Sequence, residues 1–170
     1  MNLKSIIKEY ADFPKKGILF RDISPLLRDI NTFRYVIDRF YEEYKDKSID
    51  IVAGIESRGF IFAAALALKL NKGMVMVRKQ GKLPGDTSSK SYDIEYGNAT
   101  MEIQRASIKK NDKVLIVDDL IATGGTAKAA AELIEALGGE VAGFAFVVEL
   151  SELRGIDMLK RYKVFSLVRY

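Results

Sequence analysis

Two adjacent carboxylates, Asp118 and Asp119, stand between an apolar run and a glycine-rich turn in VLIVDDLIATGGT, residues 114–126. Carboxylates only accept hydrogen bonds, so the pair needs donors or a cation. The turn Ala122-Thr123-Gly124-Gly125-Thr126 leads into AKAAAELIEAL, which has helical composition and spacing. Free N–H groups and the helix dipole at such a start favour an anion. Glycines permit close backbone approach, and two threonines add hydroxyl donors. The pocket suits a phosphate monoester, and it is not the nucleotide loop GxxxxGK[ST].

A ribose 5-phosphate satisfies both halves of this stretch. Its two hydroxyls donate to the acids, can also ligate Mg²⁺, and lie near its phosphate. The alternative is a plain strand-end turn with solvated acids, and the presence of both halves in one loop favours the sugar phosphate.

The rest of the chain limits the chemistry. It has 170 residues, 48% hydrophobic, with a net charge of +4. That is the size of one domain with a proper core. No basic block suggests a nucleic-acid arm. Cysteine and histidine are both absent. Disulfides, Cys/His zinc sites, Ser-His-Asp triads and histidine bases are excluded. Any metal must be held by oxygen, and Mg²⁺ is the natural candidate. The N-terminal stretch has no secretion signal. FIFAAALAL, residues 60–68, is the longest apolar run and is too short to span a bilayer. A soluble cytoplasmic protein with no membrane partner is expected.

Periodicity predicts helices over 31–45, with Asn31 or Thr32 as cap, over 60–70, buried on most sides, and over 126–137, closed by Gly138-Gly139. A weak helix flawed by Gly155 is expected near 153–162. Strands are expected at 49–54, 74–77, 114–117, 141–150 and 164–168, with an antiparallel pair within 91–104. The alternation argues for an α/β domain with a mostly parallel sheet. Ligands bind beyond the carboxyl ends of such strands. ESRG (56–59) and DDLIATGGT (118–126) both leave strand ends, so both should face one crevice. Residues 78–91 form the one long gap, of the kind that often serves as a lid.

The 114–126 stretch resembles the phosphoribosyl-pyrophosphate loop of the type I phosphoribosyltransferases. FPKKGILFRDISPLL (13–27), GIESRGFIFA (54–63), RKQGKLPGDT (78–87) and SYDIEYG (91–97) resemble segments of the adenine phosphoribosyltransferase family, in the expected order. The resemblance implies the type I phosphoribosyltransferase fold: a mostly parallel sheet flanked by helices, with a small hood formed largely by the N-terminal segment. The chain would be one domain over 1–170, with 1–30 mainly hood, 31–170 mainly core and a mobile loop at 78–91. It also implies transfer of a phosphoribosyl group from phosphoribosyl pyrophosphate to adenine in purine salvage, with Mg²⁺, in a homodimer.

Residue by residue, the resemblance assigns the ribose hydroxyls to Asp118 and Asp119. It assigns the 5-phosphate to Ala122 through Thr126, that is Ala122, Thr123, Gly124, Gly125 and Thr126. Glu56, Ser57 and Arg58 form the pyrophosphate loop, with a cis peptide at Glu56-Ser57. Arg78, Lys79 and Lys82 add positive charge from the mobile loop, although Gln80 and Asp86 depart from common versions of it. Arg58 is a catalytic candidate because charge on the leaving pyrophosphate must be neutralised. Glu95 is the candidate for proton handling at the purine, with Tyr96 placing the loop. Adenine would lie between Phe20 and Leu120, its amino edge read by backbone near Leu19 and Arg21. Ala122 stands where 6-oxopurine enzymes usually carry an aspartate. Mg²⁺ would bind mainly through substrate oxygens and water. The competing expectations are another base or a phosphoribosyl-pyrophosphate-sensing regulator. Such repressors carry an added DNA-binding module, for which a match beginning near residue 13 leaves no room.

Overall fold

The structure, a computed structural model, describes residues 1–94 and 97–170. The chain divides into two compact units, Met1–Arg39 and Phe40–Tyr170.

The first unit holds a two-stranded antiparallel hairpin, β1 (Lys8–Ala11) and β2 (Leu19–Asp22). Its connection reverses through left-handed residues at Asp12 and Gly17 and a cis Phe13-Pro14 peptide. The Asp12 carboxylate accepts from the Gly17 N–H at 2.7 Å, and the Phe13 ring meets Phe20 edge-on at 5.1 Å. Helix α1 (Ser24–Arg28) begins with proline in its first turn, where no N–H is lost. Asp29 accepts from both the Thr32 N–H (2.8 Å) and hydroxyl (2.9 Å). It therefore caps α2 (Ile30–Tyr44), a role the sequence suggested for Asn31 or Thr32.

The second unit is built on a seven-stranded sheet in the order β5-β6-β4-β3-β7-β8-β9. These strands are β3 (Ile51–Ile55), β4 (Gly73–Lys79), β5 (Thr87–Ile94), β6 (Gly97–Gln104), β7 (Lys113–Ile121), β8 (Glu140–Glu149) and β9 (Val164–Arg169). β4, β3, β7, β8 and β9 run parallel, and β5 and β6 add an antiparallel edge. The expected α/β class with a mostly parallel sheet is the observed one.

Helices α3 (Gly59–Leu70) and α4 (Gly125–Ala136) flank this sheet. Period-two alternation sends neighbouring strand residues to opposite faces. Ala53, Ile55, Val114 and Ile116 join the α4 residues Ala130, Leu133 and Ile134 in one core. The other face of β3 meets α3 closely: a methyl at Gly54 would lie 2.8 Å from the Ala63 side chain. Phe62 and Leu66 are buried, but Ile61 and Leu68 are 41% and 83% exposed, so α3 is open on one side rather than buried on most.

Three expectations need correction. β7 does not stop at residue 117: it runs through both acids to Ile121, paired with β8. The gap expected at 78–91 shrinks to residues 80–86, because β4 extends to Lys79 and β5 starts at Thr87. This connection is tied down. Glu102 accepts from the Gly81 N–H at 3.0 Å, and Gln104 donates to the Pro84 carbonyl at 3.0 Å. The weak helix near 153–162 is a pair of 3-10 turns, Ser151–Leu153 and Gly155–Leu159, broken by left-handed Arg154.

Candidate active site

Strand order places the site. From β3 the chain moves to β4 on one side, then returns to β7 on the other. The reversal lies between β3 and β7, and open α/β sheets bind ligands at such a point. The loop after β3 holds Glu56, Ser57 and Arg58; the loop after β7 holds Ala122, Thr123 and Gly124. The two predicted loops therefore leave hydrogen-bonded neighbours at the same end of the sheet.

The glycine loop and the end of β7 enclose a cavity of about 200 Å³, lined by Asp118, Leu120, Ile121 and the stretch Ala122–Ala127. Gly124 takes φ +85°, which L side chains rarely adopt, and starts α4. Its carbonyl accepts from the Lys128 N–H at 2.9 Å. The N–H groups of the first turn of α4 lie at this end of the helix. The Thr126 hydroxyl is 2.8 Å from the Tyr92 hydroxyl, which joins the edge strand β5 to the start of α4.

The two acids have different surroundings. Asp118 and Leu120 share one face of β7 and line the cavity. Asp119 projects to the other face and is 4% exposed. Arg58 Nε lies 2.9 Å from its Oδ2, off the line of a hydrogen bond, so this buried oxygen accepts none among the described residues. The Asp119 N–H donates to Asp118 Oδ1 at 2.8 Å. Burial raises the Asp118 carboxyl well above the usual carboxylate range, and repulsion from Asp119 adds to it. Burial raises Asp119 as well, with Arg58 pulling the other way.

The Glu56-Ser57 peptide is cis, as the resemblance implies. Glu56 pairs with Arg78 at 2.8 Å, and Arg78 also donates to the Lys82 carbonyl at 3.1 Å. Lys79 ends β4, and both Lys79 and Lys82 are exposed. Leu19, Phe20 and Arg21 lie on β2 of the first unit, with Arg21 paired to Glu9 across the hairpin. Glu95 and Tyr96 lie outside the described residues.

Sequence reasoning missed three contributors. Tyr92 stood inside the quoted SYDIEYG without a role. Glu102 holds the base of the 80–86 connection through a backbone N–H, which no side-chain pattern reveals. Gly59 is where α3 starts against β7. A methyl there would lie 2.7 Å from Asp118 Oδ1 and 2.8 Å from the Val117 carbonyl oxygen. Gly59→Ala is expected to destabilise the protein by about 1–3 kcal/mol through overpacking. Urea unfolding should show this as a lower midpoint, and an unchanged midpoint would mean that the helix start yields freely.

Comparison with known proteins fits this geometry. The family described as "Phosphoribosyl transferase domain" matches residues 26–168. The chain belongs to that family. It is 56% identical to the adenine phosphoribosyltransferase of Nitrosopumilus maritimus, over all of both chains. A crystal structure of the Thermoanaerobacter pseudethanolicus adenine phosphoribosyltransferase superposes with TM-score 0.96 at 45% identity, covering 98% of this chain and 97% of that one. The Saccharomyces cerevisiae adenine phosphoribosyltransferase, crystallised with an imino-altritol bisphosphate and adenine, gives TM-score 0.92 at 44% identity, with coverage of 97% and 96%. Within the wider family, this chain is a member of the adenine phosphoribosyltransferases.

Proposed function

We propose that this protein transfers the 5-phosphoribosyl group of phosphoribosyl pyrophosphate to adenine, releasing pyrophosphate and AMP. The observation that carries the proposal is the cavity at the end of β7, where Asp118 and the glycine loop share one wall beside the β3 loop.

Each part has a physical task. The glycine loop holds the 5-phosphate by backbone N–H groups and the Thr123 and Thr126 hydroxyls. Asp118 and Asp119 accept from the ribose hydroxyls and favour positive charge on the sugar as its C1–O bond lengthens. The leaving pyrophosphate gathers negative charge, which Arg58, Arg78, Lys79 and Lys82 neutralise. Arg58 and Arg78 each sit beside a carboxylate already, so their forks are oriented before substrate arrives. Adenine attacks C1 through a ring nitrogen, and Glu95 takes the proton that this nitrogen loses. Phe20 and Leu120 offer apolar surface to the flat base, and backbone near Leu19 and Arg21 reads its amino edge. Ala122 leaves no carboxylate at the purine where 6-oxopurine enzymes use one.

The residues present fit Mg²⁺. Among the described residues no group of three acids could hold an ion alone. Asp118 and Asp119 offer the one or two carboxylates that Mg²⁺ ordinarily takes when substrate oxygens and water complete its shell. Bound there, the ion would neutralise pyrophosphate and ribose oxygens.

Turnover with phosphoribosyl pyrophosphate, Mg²⁺ and, in parallel, adenine, hypoxanthine, guanine, xanthine and uracil tests the proposal by absorbance. Adenine alone should be consumed. Consumption of another base would overturn the roles of Phe20, Leu19 and Ala122. Binding of phosphoribosyl pyrophosphate with no turnover would favour a sensor.

A smaller effect is expected at Tyr92. Tyr92→Phe leaves the Thr126 hydroxyl without its 2.8 Å partner. Ribose 5-phosphate binding should weaken roughly three- to tenfold, the worth of one hydrogen bond. Calorimetric titration checks this, and equal affinities would show that the bond does not orient Thr126.

We also propose a cytoplasmic homodimer. The exposed apolar side chains of Ile61, Leu68 and Met76 support a subunit contact. No helix among the described residues is long and apolar enough to cross a membrane. Light scattering on the eluting protein would give the mass.

A further inference from the structure

The segment between β8 and β9 has no role in the chemistry above, yet it touches the phosphate loop main chain to main chain. A methyl at Gly155 would lie 2.1 Å from the Ala122 carbonyl oxygen and 2.8 Å from the Gly124 nitrogen. A methyl at Gly124 would lie 2.3 Å from the Gly155 carbonyl oxygen. The two backbones therefore cross at a separation that only paired glycines permit. No side chain stands between them that could swing aside. Gly155 does not occupy the left-handed region, so glycine is needed there for room and not for φ.

The segment behind Gly155 is firmly held. The Leu150 N–H donates to the Ile121 carbonyl at the end of β7 (3.0 Å), and Leu159 is fully buried in the α4 core. Arg154 and Asp157 close the turn with a 2.7 Å ion pair. The loop is anchored at its two ends, by β7 before Ala122 and by α4 from Gly125. A loop that must present several N–H groups to one phosphate needs a rigid surface behind it.

We infer that Gly155 is a positioning residue for the 5-phosphate site: its bare backbone is the wall against which Ala122–Gly124 is shaped. This rests on the phosphate role given to the loop above. Gly155→Ala pushes the loop outward, because the opposing atoms are main-chain atoms. A displacement of this order at a substrate-positioning element can cost up to about 10²-fold.

The test compares Gly155→Ala with the natural protein in steady-state kinetics and in calorimetric titration with ribose 5-phosphate. The KM for phosphoribosyl pyrophosphate and the Kd for ribose 5-phosphate should both rise about tenfold or more, with the KM for adenine little changed. A control, Val168→Ala on β9, removes buried apolar bulk elsewhere and should lower stability without that split. If Gly155→Ala does not fold, Ile156→Ala keeps the glycine, loosens the segment and should shift the same two constants in the same direction. A folded Gly155→Ala with both constants unchanged overturns the inference, as does an equal shift in Val168→Ala. The titration separates the two claims. If the natural protein fails to turn over adenine, the proposed reaction falls, while loss of ribose 5-phosphate binding in Gly155→Ala still supports the wall.

Discussion

Asp118→Asn is expected to raise the melting temperature of the ligand-free protein while lowering turnover by about 10²-fold or more. Both effects come from the same carboxylate. Burial and the neighbouring Asp119 charge hold the Asp118 carboxyl well above its ordinary range. In the folded state it keeps a proton at pH values where the unfolded chain has lost it. Its contribution to stability is therefore full at low pH and falls as pH rises through the raised value. Asp119 is raised too and acts with the same sign. Asparagine keeps an oxygen to accept the Asp119 N–H but carries no charge. The variant's thermal advantage should be absent near the ordinary aspartate value and should grow as pH rises beyond it. Scanning calorimetry from acid to neutral pH checks this. Phosphoribosyl pyrophosphate with Mg²⁺ should narrow or reverse the gap, because a ligand that prefers the charged site stabilises it by mass action. A gap independent of pH would show that the pair is not uncomfortable when ligand-free.

Glu95→Gln is expected to lower kcat by about 10²–10⁴-fold, the usual worth of a general acid or base. The ribose 5-phosphate Kd should stay nearly constant. The chain has no histidine or cysteine, so a carboxylate is the natural group to take the purine proton. On either side of it β5 ends at Ile94 and β6 starts at Gly97, with Ile94 opposite Gly97 in the register. Single-turnover measurements distinguish chemistry from product release. An unchanged single-turnover rate would assign Glu95 a structural role.

Much of this site was legible because its chemistry is local in sequence. The acids, the glycines and the helix that follows all lie within 114–137, and the strand-helix alternation placed them at the carboxyl end of a strand. The errors have physical causes. Strand β7 was cut short at Val117 because aspartate is disfavoured in strands. Pairing of Asp118, Leu120 and Ile121 with β8 overrides that preference. The first half of β5 was hidden because Thr87, Ser88, Ser89 and Lys90 lack an apolar alternation. An edge strand can be polar, since only one of its backbone flanks needs a partner. Gly155 looked like a flaw in a helix because its reason lies in Ala122 and Gly124, about thirty residues away in the chain and visible only in three dimensions.

The adjacency of β3 and β7 has a consequence for what the enzyme can accept. The loops proposed to hold pyrophosphate and the 5-phosphate leave two strands joined by a continuous ladder, Ile51–Gly54 against Val114–Val117. Neighbouring strands in a sheet stand about 4.8 Å apart, and that spacing cannot stretch without breaking hydrogen bonds. The sheet thus works as a ruler: the span between the two anionic ends of a ligand is measured by backbone geometry and not by loop length. Sugar bisphosphates of the wrong span should be refused even when every charge is present, and mutation of the loops alone should not relax that refusal.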